Sequence, residues 1–439
     1  MAFRSFENPQ LSRRGLLRGG ALLAAGGVMA GVPFGRDLLR AHDVSEAWPN
    51  VAARIEHYVG SGKVANMVAS FGRGTGDAHV VARGSLAFGS ASEAGVDSLY
   101  RIYSMTKPVT GIATMMLVED GKLRLDQPLA EILPAFAEMR VLKRPDGALD
   151  DTVPAERPIT IRQLLTHTSG LGYDIVSKGP LLDAYRAVGI TSGQLSRLPI
   201  PGLPQVRSAP SLAAYADRLA ALPLMLQPGT KWSYSAGIDL LGRVIEAASG
   251  QSFGEFLQQR LFGPCGMTST YWQVPGSEVD RLTDNYGILA GMPLPVDPAG
   301  SSIFLDSPPL EWGGSGLVTS PGDYDRFLKM VLGYGMIDGQ RVMGEAAVRT
   351  ATSNLLPETA TTQGTWVAGQ GFGAGGRVVG QTFGWGGAAG TLASVDYGSG
   401  LRAGLYVQYM PSDAYPIRAE FLAALAKDLG VSEKAYALG

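Results

Sequence analysis

The sequence predicts a two-lobed α+β fold, in which one antiparallel sheet from both ends of the chain is flanked by helices and interrupted by an all-helical insertion. Two apolar, β-rich runs at 64–71 and 79–88 enclose the Gly-rich segment 72–77, which is typical of a hairpin turn. Two further β-rich runs, 381–396 and 401–410, stand near the other end of the chain. Between these pairs the apolar residues recur mostly at helical spacing. Strands at both ends indicate that the two ends pair in one sheet.

The helices are predicted from apolar spacing and from residues that start or stop helices. Pro108 falls in the first turns of its helix, where a missing N–H is least harmful. The segment 174–210 is punctuated by Pro and Gly and predicts a long loop, which is usually functional or disordered. The predicted helices are Val44–Val59, Ser104–Glu119, one that starts at Thr160, Ala236–Ala248, Phe253–Leu261, Pro321–Leu332 and Tyr415–Leu429.

Residues 1–40 are predicted to be an export signal and linker. Arg13 and Arg14 precede an Ala/Gly-rich apolar run from Gly19 to Val32, and this arrangement is typical of a signal peptide. The adjacent arginines, followed by two leucines, resemble a twin-arginine signal. The alternative is a membrane anchor, but about 14 weakly apolar residues are short for a span of ~20. We therefore expect a periplasmic or secreted protein with no stable membrane span after signal removal.

Composition excludes several classes of function. The chain has 37 basic and 39 acidic residues and a formal net charge of −2, which argues against a polybasic nucleic-acid or lipid-surface binder. Its single cysteine, Cys265, permits no intramolecular disulfide and no Cys-based metal site, and it is expected to be a small buried residue. The four histidines are too scattered to predict a His-built metal centre. The hydrophobic content of 45% is that of a globular protein, and we expect an enzyme.

One candidate nucleophile stands at the start of a predicted helix. Segment 104–107 has the sequence Ser-Met-Thr-Lys, and residues three apart on a helix share a face, so Ser104 and Lys107 can meet. The helix dipole favours a serine alkoxide there, and a neighbouring amine can take the serine proton. A Ser-His-Asp triad, by contrast, would need His57, His79 or His167. Each of these lies in a segment that predicts ordinary structure, and His167 is typical of a turn or cap.

The surroundings of this pair resemble the serine β-lactamase-like proteins. Residues 100–108 have the sequence Tyr-Arg-Ile-Tyr-Ser-Met-Thr-Lys-Pro, and residues 117–129 have Leu-Val-Glu-Asp-Gly-Lys-Leu-Arg-Leu-Asp-Gln-Pro-Leu. Residues 159–171, Ile-Thr-Ile-Arg-Gln-Leu-Leu-Thr-His-Thr-Ser-Gly-Leu, are similar to a second block of that superfamily. Within it the chain most resembles the family VIII carboxylesterases, relatives of class C β-lactamases and DD-peptidases. The resemblance spans about residues 48–430 and implies a β-lactamase/DD-peptidase-like fold.

Two further motifs follow from this resemblance. Tyr234-Ser235-Ala236 stands where the family has Tyr-x-Asn, which implies that Tyr234 acts as general base with Lys107. Ala236 replaces the asparagine that contacts the substrate amide in lactamases. Trp385-Gly386-Gly387 stands where lactamases have Lys-Thr-Gly, so the lysine that meets a substrate carboxylate is missing. Both departures favour an esterase over a lactamase.

The resemblance also implies the remaining site residues and the division of the chain. Residues 41–439 would form the serine hydrolase domain, with a sheet lobe at about 44–100 and 300–439 and a helical lobe at about 101–299. The oxyanion hole would come from backbone N–H groups, and side chains and glycines around it would contact substrate. The oxyanion donors implied are Ser104 and Ala388, and the substrate contacts are Tyr103, Trp385, Gly386 and Gly387.

The expected function is a serine carboxylesterase that hydrolyses small-molecule esters through an acyl-enzyme on Ser104. The resemblance implies no metal and no organic cofactor, and no nucleic-acid partner. A β-lactamase, a penicillin-binding D-aminopeptidase or amidase, and a transesterase would use the same scaffold and the same serine. From another class, the chain could be a catalytically inactive cell-envelope binding protein that kept the fold.

Overall fold

The main sheet joins the two ends of the chain, as the sequence predicts. The computed structural model describes residues 44–200 and 205–430. Seven antiparallel strands lie in the order β3-β4-β5-β6-β7-β1-β2. Strand β1 pairs with the whole of β7, with Val68 opposite Tyr406 and Arg73 opposite Leu401. The strands, numbered in chain order, are β1 Asn66–Arg73, β2 His79–Gly84, β3 Gly371–Phe372, β4 Arg377–Val379, β5 Thr382–Gly386, β6 Leu392–Asp396 and β7 Leu401–Tyr406.

Helices cover both faces of this sheet. On one face α2 and α12 pack together against β1 and β7, with Val51, Ile55 and Phe421 in a shared apolar cluster. Successive residues of a strand point to opposite faces of the sheet, so other residues of the same strands, such as Val68 and Tyr406, belong to the larger apolar cluster on the other face. The helices are α1 Val44–Ala47, α2 Pro49–Gly60, α3 Thr106–Glu119, α4 Ile161–Leu165, α5 Gly179–Ala187, α6 Leu212–Ala220, α7 Gly237–Ser249, α8 Phe253–Leu257, α9 Gly263–Cys265, α10 Pro321–Leu332, α11 Glu345–Ala351 and α12 Ile417–Asp428.

Helix α3 is the central element of the helical region. Every residue from Thr106 to Leu117 is buried, because α7, α11 and the sheet cover it from several sides. A helix that is apolar on nearly all faces needs such an enclosed position. A 3₁₀ turn over Tyr103–Met105 precedes α3 and joins it to the short strand Tyr100–Arg101. The start of α3 is therefore fixed between the sheet and the helices.

Short strands pair outside the main sheet and tie the loops around α3. They form small sheets of two or three strands each. These are Tyr100–Arg101 with Val318–Thr319 and Thr270–Tyr271, Asn285–Leu289 with Met292–Asp297 and Tyr409–Met410, Arg140–Leu142 with Thr152–Pro154, and Met336–Ile337 with Gln340–Arg341.

Three sequence predictions need correction. The expected loop at 174–210 contains helix α5. Pro180 lies in the first turn of this helix, where proline favours helix initiation, and the helix buries Leu181 and Tyr185, which are one turn apart. The expected helix Val44–Val59 is two helices, because Pro49 starts a new one after Trp48. The expected β-rich run at 381–396 is two strands, β5 and β6, joined by the turn 387–391.

The predicted export signal at residues 1–40 lies outside the described residues. Among the residues that the structure describes, no helix has both the length and the apolar character needed to cross a membrane.

Candidate active site

Three side chains predicted from the motifs meet at the start of α3. The Tyr234 hydroxyl donates to Ser104 Oγ at 2.8 Å, and Lys107 Nζ donates to the same oxygen at 3.4 Å. Lys107 and Tyr234 are buried, whereas Ser104 is partly exposed. One oxygen that solvent can reach is therefore contacted by two buried groups capable of exchanging its proton.

The backbone before the serine is held in an unusual conformation. Tyr103 has a φ of 42°, in the left-handed region that a residue with a Cβ rarely adopts. Its hydroxyl accepts a hydrogen bond from Asn285 Nδ2 at 3.0 Å, and its ring packs edge-on against Phe304. The buried Arg101 forms an ion pair with Asp297 at 2.6 Å. These contacts maintain the strained turn that presents Ser104.

Lys107 is positioned by a carbonyl and, through it, by a buried carboxylate. Its Nζ donates to the Gly314 carbonyl oxygen at 2.7 Å and lies 4.5 Å from the centre of the Tyr234 ring. Asp239 accepts the Gly314 N–H at 2.7 Å and the Tyr173 hydroxyl at 2.8 Å. Burial raises the pKa of Asp239, while the nearby Lys107 cation opposes that shift. Asp239 thus holds Gly314, the residue whose carbonyl oxygen orients the lysine.

Sequence reasoning missed Asp239, although a signal was present. The residue stands in the otherwise apolar segment Ile238-Asp239-Leu240-Leu241 of α7 and is fully buried. A buried carboxylate needs hydrogen-bond partners, and these come from residues far away in the sequence. One of them is the N–H of Gly314, in the segment between Trp312 and Leu317.

Tyr234 lies in an aromatic cage. The indole Nε1 of Trp385 donates to its hydroxyl at 3.4 Å, and the rings of His167 and Trp366 lie at centroid distances of 4.7 Å and 4.9 Å. The Ser235 N–H donates to His167 Nδ1 at 3.1 Å. Burial, together with the Lys107 charge, holds the pKa of His167 well below its usual value, so the imidazole is neutral. The cage restricts the ring of Tyr234 and keeps water from its sides.

A Ser-His-Asp arrangement does not form at this site. His167 has a φ of 56° in the turn after α4, and its hydrogen bonds go to Ser235. The hydrogen bonds to the Ser104 hydroxyl come from Lys107 and Tyr234. The described geometry therefore groups the serine with lysine and tyrosine.

The Trp-Gly-Gly strand runs beside the serine turn. Trp385 is buried in β5, and Gly387 begins the turn to β6. A Cβ added to Gly387 would lie 2.1 Å from the Ile102 carbonyl oxygen, so only glycine fits where this turn crosses the segment before Ser104. The partly exposed Ala388 follows, and within the described residues its N–H has no hydrogen-bond acceptor. The turn thus brings a free backbone donor to the side of the sheet on which Ser104 lies.

The family model for Beta-lactamase matches residues 51–427 of the chain. The chain belongs to this family. Protein Rv1367c of Mycobacterium tuberculosis is 35% identical over 334 residues, which cover 72% of this chain and 78% of that protein. The lovastatin esterase of Penicillium rubens is 31% identical over 280 residues, 60% of this chain and 62% of its own. Relatives of this Beta-lactamase family member thus include an esterase.

Solved structures show the same fold. EstCE1, described as a hydrolase with promiscuous acyltransferase activity, superposes with a TM-score of 0.68 at 22% identity. The alignment covers 86% of this chain and 99% of EstCE1. The predicted β-lactamase/DD-peptidase-like fold is confirmed, and the chain is a Beta-lactamase family protein whose relatives include an esterase.

A buried arginine lies next to Trp385, the residue that stands where lactamases have a lysine. The Arg377 guanidinium carbon is 5.1 Å from the Trp385 ring centre. Arg377 is buried, donates to the Trp366 carbonyl at 3.1 Å, and has no acceptor for Nε among the described residues. Burial and the nearby Arg418 lower its pKa to about 9. Sequence reasoning did not find this arginine.

The segment after Tyr173 is hydrogen-bonded to residues on both sides of Gly314, whose carbonyl accepts from Lys107. The Ser315 hydroxyl donates to the Ser192 carbonyl at 2.5 Å, and the Trp312 indole donates to Thr191 at 3.0 Å. Asp174 accepts the Ser192 N–H at 3.1 Å, and burial raises its pKa to about 6. This part of the predicted loop is therefore tied to the turn that orients Lys107.

Two further predictions concern metal and cysteine chemistry. Within residues 44–200 and 205–430, no three His, Cys, Asp or Glu side chains lie together as a metal site requires. Cys265 is fully buried, and burial raises the pKa of its thiol to about 12. A thiol in that environment is poorly reactive, in agreement with its expected role as a small core residue.

Proposed function

We propose that the protein is a serine carboxylesterase acting on small esters through an acyl-enzyme on Ser104. The observation that carries this proposal is the pair of hydrogen bonds to Ser104 Oγ, at 2.8 Å from Tyr234 and 3.4 Å from Lys107. A serine hydroxyl becomes an effective nucleophile when a neighbouring group takes its proton as it attacks. Two such groups converge here on a hydroxyl that substrate can reach.

The reaction proceeds in two acyl-transfer steps. Ser104 Oγ attacks the ester carbonyl carbon while Tyr234 and Lys107 accept its proton, and the same groups return a proton to the departing alkoxide. The alcohol leaves and the acyl group stays on Ser104 as an ester. Water then attacks that ester, again losing a proton to the Tyr234–Lys107 pair, and releases the carboxylic acid and the free serine.

Backbone N–H groups of Ser104 and Ala388 stabilise the oxyanion of both tetrahedral intermediates in this proposal. The free N–H of Ala388 and the close approach of Gly387 to Ile102 support this role. Removing one such donor in other enzymes costs about 3–4 kcal/mol of transition-state stabilisation. Tyr103, Trp385, Gly386 and Gly387 surround the same region and are the proposed substrate contacts.

Esters are favoured over lactams by two residues. Ala236, at the start of α7, has no amide to hydrogen-bond a lactam side chain. Trp385 donates to Tyr234 and carries no charge for a lactam carboxylate. The similarity to lovastatin esterase supports the same choice.

The test is replacement of the proposed nucleophile. We expect Ser104→Ala to abolish hydrolysis of a short-chain aryl ester and labelling by a fluorophosphonate, while the circular dichroism spectrum stays that of the wild type. Ser61→Ala is the control, because Ser61 is exposed at the end of α2 and outside the site. Hydrolysis retained by Ser104→Ala would refute the assignment. A wild-type protein that neither hydrolyses esters nor reacts with the probe would favour a non-catalytic binding protein.

We also propose that the protein acts outside the cytoplasm. Arg13 and Arg14, followed by the apolar run to Val32, support export by a twin-arginine signal. A chain with one cysteine needs no disulfide to fold before export.

A further inference from the structure

Arg418, in the first turn of α12, contacts the turn between β5 and β6. Its guanidinium donates to the carbonyl oxygen of Gly387 through Nη2 and to that of Gly390 through Nε at 3.3 Å. A Cβ added to Gly386 would lie 3.1 Å from the guanidinium carbon, so the group lies directly against the end of β5. One side chain from the last helix thus connects both ends of the turn that carries Ala388.

The turn also has internal hydrogen bonds that fix its other carbonyls. The Gly387 N–H donates to Thr391 at 2.9 Å, and the Gly390 N–H donates to the Gly387 carbonyl at 3.2 Å. The Ala389 carbonyl accepts the Tyr409 N–H at 3.2 Å. The carbonyls of residues 387, 389 and 390 are therefore all occupied, whereas the Ala388 N–H has no acceptor among the described residues.

The Gly387 carbonyl and the Ala388 N–H belong to the same peptide unit. A trans peptide is planar, and its C=O and N–H point in opposite directions. Holding the Gly387 oxygen toward Arg418 therefore turns the Ala388 N–H away from α12. A hydrogen bond from a cation to a carbonyl also polarises its peptide, which strengthens the N–H as a donor.

Arg418 forms no ion pair within the described ranges, because no carboxylate oxygen lies within 4.0 Å of its guanidinium. Arg101 and Arg402, in contrast, pair with Asp297 and Asp325. A charge-assisted hydrogen bond is stronger than a neutral one. The carbonyls of the turn are therefore the groups on which this cation acts.

We propose that Arg418 is a positioning residue for catalysis, which aims and strengthens the Ala388 N–H in the oxyanion hole. The inference rests on the proposed acyl-enzyme function, since the N–H acts only when an oxyanion forms. Arg418 does not contact the reacting atoms. Its effect passes through the Gly387–Ala388 peptide and falls on the tetrahedral intermediates of both steps.

The experiment compares wild type with Arg418→Met, which keeps the length but not the charge, and Arg418→Lys, which keeps the charge but not the two-carbonyl contact. We expect Arg418→Met to lower kcat for an aryl ester about 10- to 100-fold, somewhat less than loss of a whole oxyanion donor, with KM within about threefold. The rate of inactivation by a fluorophosphonate should fall by a similar factor, because its phosphoryl oxygen occupies the same hole. Arg418→Lys should recover part of the rate.

A matched control removes another arginine contact of the same helix. Arg54→Gln breaks the half-exposed pair between Arg54 and Glu420 of α12 and leaves the turn untouched, so its rates should equal those of wild type. Wild-type kcat in folded Arg418→Met, or a loss confined to KM, would overturn the inference while Ser104→Ala still tests the function. If Arg418→Met does not fold, Arg418→Lys decides, and full activity in that variant would also overturn it. An inactive wild type would overturn both proposals together.

Discussion

Replacing Tyr234 with phenylalanine separates the chemistry of its hydroxyl from the packing of its ring. The hydroxyl makes a 2.8 Å hydrogen bond to Ser104 and a weak one, 3.4 Å, from Trp385. The ring contacts with His167, Trp366 and the Lys107 cation do not need the hydroxyl. We therefore expect Tyr234→Phe to fold normally and to lose the step in which the serine proton is transferred.

The size of the effect follows from the two contacts. A positioned general base contributes about 10²- to 10⁴-fold to a rate, which corresponds to about 3–5 kcal/mol. Lys107 stays 3.4 Å from Ser104 and can still accept the proton, so we expect the rate to fall by a factor near the lower limit, about 10². The lost Trp385 hydrogen bond is long, and its removal should lower the free energy of unfolding by only about 1 kcal/mol.

The assay is steady-state hydrolysis of a short-chain aryl ester together with urea unfolding. Tyr215→Phe is the matched control, because Tyr215 is equally buried and its hydroxyl has no partner among the described residues. That variant should keep wild-type kcat. If Tyr234→Phe keeps kcat within about threefold of wild type, the tyrosine is not the proton acceptor and the proposed mechanism is wrong.

Three further predictions use the surroundings of the site and the leader. Burial favours the neutral form of Asp174 and raises its pKa to about 6 from an ordinary 3.8, so the free energy of unfolding should fall as pH rises from about 4 to 6. In urea unfolding, Asp174→Asn should not show this fall, and its free energy of unfolding at pH 7.5 should exceed that of wild type by up to about 3 kcal/mol. A pH profile of stability equal to that of wild type would contradict the assignment. Gly387→Ala should lower kcat at least tenfold, because its Cβ would meet the Ile102 carbonyl at 2.1 Å, and wild-type kinetics would show that the turn can move freely. In a bacterial host with twin-arginine export, R13K/R14K should leave the protein in the cytoplasmic fraction, whereas equal export of both forms would exclude that route.

Local motifs allowed part of the site to be predicted from sequence. Ser104 and Lys107 are three residues apart on one helix, so their meeting follows from helix geometry alone. Tyr234 and Trp385 are distant in sequence, and only the family resemblance associated them with Ser104. The sheet was predicted because its strands carry strong β-rich runs next to clear turns.

Other features depend on contacts that no local pattern encodes. Asp239 acts on Lys107 through Gly314, 75 residues further along the chain, and Arg418 reaches Gly387 from α12, whose sequence does not indicate this contact. Helix α5 was missed because its nine residues begin with Gly-Pro and bury only Leu181 and Tyr185. Tertiary packing, rather than local preference, determines these elements.

The pairing of β1 with β7 has a consequence for the order in which the enzyme is made. Strands β5 and β6 join β1 only through β7, which ends at Tyr406, so the main sheet cannot form in full until residue 406 has left the ribosome. Arg418 is synthesised later still, and pairing across such a distance is slow to form. A nascent chain would therefore carry Ser104, Lys107 and Tyr234 long before the proposed oxyanion hole was complete. The proposed activity would appear only after Arg418 had been synthesised and the sheet had formed.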